Sequence, residues 1–215
     1  MTKKKVITNF RDNTNRPRPT TLLQFSGGQD SSYVAWKWLT DNPDKVLLLH
    51  HINLYHYKED RVDYENKAVH NILDWFQKND INNWLYYESD FSYGNLPRIS
   101  IKDIQICALF AGIIFRTPTF KTLDTLLLSW HIGEVNAPEI GRGYRVLDMF
   151  KALQVEGVTL EFPIEFHTRE QMASEMPSEL LQLVHTCRRP IKDKACGKCK
   201  TCKEMIKAKI WRKKL

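Results

Sequence analysis

The sequence of 215 residues predicts an α/β fold: a doubly wound, Rossmann-like parallel sheet, followed by a small helical C-terminal appendix that carries a cysteine cluster. Three observations predict it. Short apolar runs with strand-like composition alternate with segments whose apolar residues recur at helical spacing. The first run ends at a glycine pair, Gly27 and Gly28, directly before a helical segment. Four of the five cysteines lie between Cys187 and the C-terminus.

The predicted strands are short buried runs bounded by turn residues or charged segments. They are Thr20–Phe25, Lys45–His51, Trp84–Glu88 and Thr125–Ser129. Each is followed by a predicted helix, and these helices are Ser31–Thr40, Tyr64–Lys78, Ile101–Phe115 and Val146–Ala152. Because every strand precedes a helix, the strands should run parallel, with right-handed crossovers and helices on both faces.

A change of pattern near residue 160 predicts two regions, an α/β domain at 1–160 and a helical C-terminal region at 161–215. Thr168 and Gln171 have the spacing of a capping box, which predicts that a helix begins there. A second short helix is predicted after Pro177.

Composition excludes several classes of protein. With 42% hydrophobic residues the chain is too apolar to be disordered, and no run of 18 apolar residues occurs, so no membrane span is predicted. The basic start, Met1–Lys5, is not followed by an apolar stretch of signal-peptide length. A cytoplasmic protein with no membrane partner is therefore expected.

Four cysteines form a C-x8-C-x2-C-x2-C cluster made of Cys187, Cys196, Cys199 and Cys202. In a cytoplasmic chain such clustering favours a metal over disulfides. CxxC turns present thiolates to one point at about 2.3 Å from zinc, and Gly197 suits such a turn. Since four thiolates leave no open coordination position, a structural Zn²⁺ site is predicted. The fifth cysteine, Cys107, is predicted to be a small buried hydrophobe.

The formal charge of +7 is concentrated at one end of the chain. The stretch Cys187–Leu215 contains twelve Lys and Arg residues and two acidic ones, whereas the rest of the chain is slightly acidic. Lysines that offset the charge of metal-bound thiolates explain this distribution better than a nucleic-acid contact does, although both interpretations stay open.

The segment after the first predicted strand reads Ser26-Gly27-Gly28-Gln29-Asp30-Ser31-Ser32. It matches neither the G-x-x-x-x-G-K-[ST] nor the G-x-G-x-x-G phosphate loop. Free N–H groups and the dipole at a helix N-terminus attract anions, and glycines allow a phosphate to approach the backbone. Hydroxyls from Ser26, Ser31 and Ser32 can donate further hydrogen bonds. The segment is therefore predicted to bind phosphate.

Asp30 is unusual in a phosphate-binding segment, because a carboxylate repels an anion unless a divalent cation lies between them. Asp30 is therefore predicted to contact Mg²⁺. The alternative is an ordinary helix start with Ser26 or Asp30 as its N-cap. The strand–loop–helix context favours the phosphate interpretation.

Ser26 to Ser31 resembles the PP-loop of the adenine nucleotide α-hydrolases, the HUP/PP-loop enzymes that cleave ATP between its α and β phosphates. The C-terminal region, from Thr168-Arg169-Glu170 to the CxxC turns at Cys196–Cys202, is similar to the end of the 7-cyano-7-deazaguanine synthase family. Those are zinc-bearing PP-loop enzymes of queuosine biosynthesis. Leu96-Pro97-Arg98 adds a third point of likeness.

This resemblance implies an AMP-forming carbon–nitrogen ligase. ATP would adenylate the carboxylate of 7-carboxy-7-deazaguanine, ammonia would displace AMP to give the amide, and a second ATP would drive formation of the nitrile. The implied cofactors are ATP, Mg²⁺ and Zn²⁺, and the implied partners are the deazapurine carboxylate and ammonia.

The predicted catalytic residues are Ser26, Asp30, Ser31 and Lys102. The predicted nucleotide-binding residues are Ser26, Gly27, Gly28, Gln29, Asp30, Ser31 and Ser32, with the backbone of Leu49 and His50 against adenine. Substrate residues are predicted from position alone, since ligands bind at the carboxyl ends of parallel strands. They are Arg98, His131, Glu134, Asn136, Arg142 and Arg145. For each of these six residues, and for Lys102, a solvated position is the alternative.

Three functions stay open. The first is a ligase for 7-carboxy-7-deazaguanine, or for a carboxylate on a protein or nucleotide in a phage or defence setting. The second is a tRNA-modifying PP-loop enzyme that uses the basic tail to contact RNA; a zinc site that occupies all four cysteines counts against thiolation. The third is a non-enzymatic nucleotide-binding subunit. A homodimer is compatible with the sequence, and nucleic acid is the less favoured partner.

Overall fold

The computed structural model describes residues 17–55, 61–94, 103–130, 142–191, 194–208 and 210. These residues contain a five-stranded sheet with the strand order β3-β2-β1-β4-β5, in which every neighbouring pair is parallel. The strands are β1 (Thr21–Gln24), β2 (Leu47–Tyr55), β3 (Trp84–Ser92), β4 (Thr125–Leu127) and β5 (Thr159–Glu161). The chain order reverses between β1 and β4, which opens a crevice at the carboxyl ends of these strands.

The α-helices of the described residues are α1 (Gln29–Asp41), α2 (Arg61–Lys78), α3 (Asp103–Arg116), α4 (Arg142–Ala152), α5 (Arg169–Glu175), α6 (Ser178–Leu183) and α7 (Lys200–Lys207). None of the helices in these parts of the chain has the length and apolar character that crossing a membrane requires.

Both faces of the sheet are covered. Leu22 and Leu23 in β1 are both fully buried, and they point to opposite faces because side chains alternate along a strand. Leu23 packs among residues of α1 and α2, whereas Leu22 packs among residues of α3 and α4. Burial on both sides explains why the strands are almost continuously apolar. The predicted doubly wound parallel sheet is confirmed.

The C-terminal helices pack on one face of this sheet. α5 and α6 add Met172, Met176 and Leu180 to the core on the side of α1 and α2. The predicted capping box is present: Thr168 Oγ1 accepts a hydrogen bond from Gln171 N at 3.2 Å, and Thr168 N donates to Gln171 Oε1 at 2.8 Å. The predicted division of the chain at residue 160 stays a prediction.

Several elements differ from their predicted bounds. β2 and β3 extend to Tyr55 and Ser92, and β4 ends at Leu127 rather than at Ser129. β5 was not predicted, because a three-residue edge strand with two exposed side chains contains no apolar run. Its backbone pairs only with β4, which no local pattern indicates.

Candidate functional site

The turn between β1 and α1 depends on Gly27. Its φ is +70°, a left-handed conformation that side chains other than hydrogen disfavour. A Cβ at this position would lie 3.0 Å from Cγ2 and 3.1 Å from the backbone N of Val69 in α2. The glycine therefore allows both the turn and the close approach of α2 beneath it.

Hydroxyl groups hold the rest of this loop. Ser31 Oγ accepts a hydrogen bond from Ser26 N at 3.2 Å and lies 3.1 Å from Ser26 Oγ. Gly28 is the N-cap of α1, has ordinary φ, and makes no side-chain cap bond. Neither Ser26 nor Asp30 is the N-cap, so the alternative of a side-chain-capped helix start is not what the structure contains. The sequence-predicted phosphate loop lies at a helix N-terminus.

Asp30 forms an ion pair with Arg169, the first residue of α5, at 2.9 Å between Oδ1 and Nη1. Gln29 Nε2 also donates to the Arg169 backbone oxygen at 2.8 Å. The Arg169 guanidinium also contacts Glu204 in α7, with 3.5 Å between Nε and Oε2. Arg169 was not predicted as a site residue. Its only sequence signal was its place in the Thr168-Arg169-Glu170 motif, because nothing local indicates a contact with a loop 139 residues away.

A cleft of about 870 Å³ opens at the carboxyl ends of β1, β2 and β4. Its floor includes Ser26, Gly28 and Asp30 of the loop, together with His50 of β2 and Ser129 just after β4. The C-terminal region forms the opposite wall through Arg169, His185, Thr186, Arg188, Lys200 and Glu204. The Ser26–Ser31 loop thus lies in a cleft large enough for a nucleotide.

The backbone predicted to meet adenine lies deeper than expected. Because β2 runs on to Tyr55, Leu49 sits inside the sheet and its side chain is fully buried in the core. His50 lines the cleft, but its carbonyl accepts a hydrogen bond from Phe25 N at 2.7 Å. The adenine contact stays a prediction.

His50 itself is buried and neutral. Its ring nitrogens lie 3.0 Å from Gln24 Oε1 and 2.9 Å from Ser89 Oγ. Burial, aided by the neighbouring His51, lowers the pKa of His50 to about 3. A histidine that stays neutral at physiological pH and has both nitrogens occupied is a structural residue rather than a proton shuttle.

Most of the predicted substrate residues, and the predicted catalytic residue Lys102, lie outside the part of the chain that the structure describes. Arg98, Lys102, His131, Glu134 and Asn136 lie outside the described residues, as does the side chain of Arg142. Arg145 is exposed on α4 and is absent from the residues that line the cleft.

A second charged group lines the cleft, and the sequence did not indicate it. Arg61 at the start of α2 pairs with Glu65 at 2.6 Å and with Asp103 at 3.0 Å. The side chain of Arg61 is 12% exposed. Arg61 and Asp103 begin the helices that follow β2 and β3, so the rule that directs ligands to strand ends would have included them.

Cys107 lies beside this group in the cleft wall. Burial, with a smaller contribution from the nearby Asp103 carboxylate, raises the pKa of its thiol to about 12. The thiol therefore stays protonated and is a poor nucleophile. It packs against a small apolar cluster that includes Ile52 and Ile106.

The four C-terminal cysteines converge as their spacing predicted. Their sulfur atoms all lie within 4.8 Å of one another, with Cys199 Sγ 3.3 Å and Cys196 Sγ 3.8 Å from Cys202 Sγ. Gly197 has φ +65° in the turn between two of them. Backbone N–H groups point at the sulfurs, as Cys196 N does toward Cys187 Sγ at 3.2 Å. The group can hold a metal ion.

A backbone hydrogen bond links the segment before the cysteine group to the Ser26–Ser31 loop. His185 N, two residues before the first cysteine of the cluster, donates to Gly27 O at 2.9 Å. The His185 ring stacks on Tyr64 of α2, with the ring centres 5.7 Å apart. The segment that leads into the cysteine group therefore lies directly on the loop.

Comparison with known proteins identifies the fold. The chain is similar in structure to the U34-tRNA thiolase NcsA from Methanococcus maripaludis, solved with its 4Fe-4S cluster, with a TM-score of 0.52 and 17% identity. The match covers 92% of this chain and 66% of NcsA, so the chain spans slightly less than two thirds of that neighbour's length. No family model and no curated protein matches the sequence. This likeness shows that the two chains share a fold.

Proposed function

We propose that the protein is an ATP-dependent enzyme that splits ATP into AMP and pyrophosphate and transiently adenylates an oxygen atom of its substrate. The observation that carries this proposal is the Ser26–Ser31 loop, which presents backbone N–H groups and two hydroxyls at the N-terminus of α1 inside the cleft. The structural likeness to the tRNA thiolase NcsA supports it.

The chemistry follows from charge and position. A carboxylate or carbonyl oxygen is a poor leaving group at neutral pH, and adenylation converts it into a good one. The leaving pyrophosphate would bind at the N–H groups of the loop, beside the guanidinium of Arg169. Mg²⁺, for which Asp30 is the proposed ligand, would neutralise further phosphate charge when bound. Positioning of the reactants and electrostatic stabilisation of the phosphate charge suffice for the proposed adenylation, and no covalent enzyme nucleophile is needed.

The cysteine group fits one tetrahedral ion. Four thiolates at about 2.3 Å from zinc lie about 3.8 Å from one another, close to the observed sulfur separations of 3.3 and 3.8 Å. In a 4Fe-4S cluster each cysteine ligates a separate iron, which spreads the sulfurs farther apart. The proposed occupant is a structural zinc ion that holds the C-terminal segment in place.

The first candidate substrate is a base in RNA. Arg188 and Lys200 line the cleft, and Lys200 has a side chain that is 92% exposed. Such a rim attracts a phosphate backbone, and the structural neighbour NcsA is a thiolase that acts on tRNA. Further exposed cations lie on the same C-terminal region at Arg189, Lys194, Lys198, Lys203 and Lys207.

The second candidate is 7-carboxy-7-deazaguanine, amidated with ammonia and then converted to the nitrile. The cysteine spacing and the Thr168-Arg169-Glu170 motif support it through their resemblance to the synthase family. Both candidates require the same adenylation step, and they differ only in what carries the reacting oxygen.

The test is nucleotide product analysis with each substrate. The zinc-loaded protein is incubated with ATP and Mg²⁺, together with unmodified tRNA or with 7-carboxy-7-deazaguanine and ammonium, and AMP, ADP and modified substrate are measured by mass spectrometry. AMP that depends on one substrate identifies it. Asp30→Ala should abolish this AMP, whereas Asp74→Ala, which removes an exposed carboxylate of α2, should not. ADP as the product, or ATP binding without turnover on any substrate, would refute the proposal.

A further inference from the structure

We infer that Thr186 is a ligand of the bound nucleotide, its hydroxyl donating a hydrogen bond to a phosphate oxygen above the loop. This inference rests on the proposed function, and it concerns a residue of the metal-bearing segment rather than of the loop. Three independent observations carry it.

The first observation is an unpaired hydroxyl. The Oγ1 atom of Thr186 is shielded from solvent and has no hydrogen-bond partner among the described residues. A shielded hydroxyl without a partner is unfavourable, and native structures usually supply one from protein, water or ligand. Thr186 lines the cleft, so a ligand there is in reach.

The second observation is its place relative to the loop. A Cβ built on Gly28 would lie 3.9 Å from Thr186 Cγ2 and 3.8 Å from the His185 backbone oxygen. Gly28 is the N-cap of α1, where free N–H groups point at an anion. Thr186 therefore lies directly beside the N-terminus of α1, where the phosphate is proposed to bind.

The third observation is how firmly Thr186 is held. The residue before it, His185, is bound to Gly27 O at 2.9 Å, and the residue after it, Cys187, is buried in the cysteine group. A donor fixed on both sides loses little freedom when it binds, which is the condition for a hydrogen bond to add affinity. The metal group would thus act on nucleotide binding by positioning this hydroxyl.

A phosphate is the ligand that fits these neighbours. Arg169 supplies a cation in the same cleft, and the hydroxyls of Ser26 and Ser31 lie beside the same helix end. Phosphate oxygens only accept hydrogen bonds, so the Thr186 hydroxyl would donate. A hydrogen bond to a charged group of this kind changes affinity by about tenfold to a hundredfold.

The experiment measures the affinity of the zinc-loaded full chain for α,β-methylene-ATP with Mg²⁺, a probe that the proposed reaction does not cleave, by titration calorimetry. Thr186→Val keeps the shape and removes the hydroxyl, and should weaken binding by tenfold or more. Thr186→Ser keeps the hydroxyl and should bind within about threefold of wild type. Thr201→Val is the matched control, since Thr201 also lines the cleft and directly precedes a cysteine of the cluster, Cys202, but its hydroxyl is not among the shielded, unpartnered groups of the described residues. It should not change the affinity.

Zinc content and melting temperature are measured on every variant. If Thr186→Val loses its zinc, the comparison of Thr186→Ser with Thr186→Ala decides in its place. Equal affinity of the valine and wild-type proteins, or equal weakening by serine and by valine, overturns the inference and leaves the proposed function intact. Failure of the wild-type protein to bind the probe refutes the proposed function itself.

Discussion

Replacing Gly27 by alanine should destabilise the protein more than the same change at another left-handed glycine. Gly27 and Gly157 have almost the same φ, +70° and +71°, so the backbone strain of an added Cβ is matched. At Gly157 nothing lies within 4 Å of that Cβ, whereas at Gly27 it meets Val69 Cγ2 at 3.0 Å and Val69 N at 3.1 Å. Comparing the Gly27→Ala and Gly157→Ala variants therefore separates the backbone strain of an added Cβ from its steric overlap with Val69.

The expected losses in the free energy of unfolding differ accordingly. Placing alanine in the left-handed region costs about 1–2 kcal/mol, of which about 0.4–1 kcal/mol is offset by the lower entropy of the unfolded chain. Gly157→Ala should thus cost about 1 kcal/mol. At Gly27 the backbone atom of Val69 cannot turn away, and overpacking of this kind adds about 1–3 kcal/mol. Gly27→Ala should cost about 2–4 kcal/mol in total.

Urea unfolding followed by circular dichroism measures both variants, with the m-value as the check that unfolding stays two-state. Gly28→Ala is a third reference, since φ is −77° there and the nearest atom lies at 3.4 Å. Equal losses at Gly27 and Gly157 would show that α2 does not press against the loop. The argument that this turn requires glycine for packing would then be wrong.

Three further outcomes are expected. His50 stays neutral down to a pKa of about 3 in the folded protein, whereas the unfolded chain takes up a proton near pH 6.5; stability should therefore fall as pH drops below 6.5, by about 1.4 kcal/mol at pH 5.5. His50→Gln should lose this slope in urea titrations at pH 7.5 and 5.5, and an unchanged slope would contradict the assignment. Cys199→Ser should lower zinc below one ion per chain in a colorimetric assay, and full retention would argue against four thiolate ligands. Asp30→Asn and Arg169→Gln both remove the Asp30–Arg169 ion pair, and Arg169→Gln also removes the contact with Glu204. Each should cost about 1 kcal/mol and the double variant less than their sum; additive losses would disprove the pairing.

Local pattern sufficed for most of the fold. Leucine-rich runs such as the one at Leu22–Leu23 have the composition of strands buried on both faces, and strand–helix alternation leaves a parallel sheet as the solution. The capping box at Thr168 is likewise a local signal, since both of its hydrogen bonds join residues three apart. The edge strand β5 was missed because it is short and is defined by its pairing with β4, which leaves no local pattern.

The candidate site was likewise only partly recognisable from the sequence. The glycine pair, its neighbouring hydroxyls and the four cysteines were recognisable from the sequence, because the loop and most of the cysteine cluster are contiguous motifs whose spacing is dictated by helix-terminus and metal geometry. The partners of these motifs were not recognisable. Arg169 beside Asp30, His185 on Gly27, and Arg61 between two carboxylates are each defined by a contact across the fold.

Sequence alone determined that this chain builds a parallel sheet, ends its first strand at a glycine-containing turn before a helix and gathers four thiols near its C-terminus. Only the tertiary structure decided that the thiol segment lies on that turn and that an arginine from α5 meets the carboxylate of α1. The physical reason is distance along the chain. Hydrogen bonding and apolar periodicity act over a few residues and leave a local imprint, whereas a contact between residues more than a hundred positions apart depends on how all the intervening elements pack.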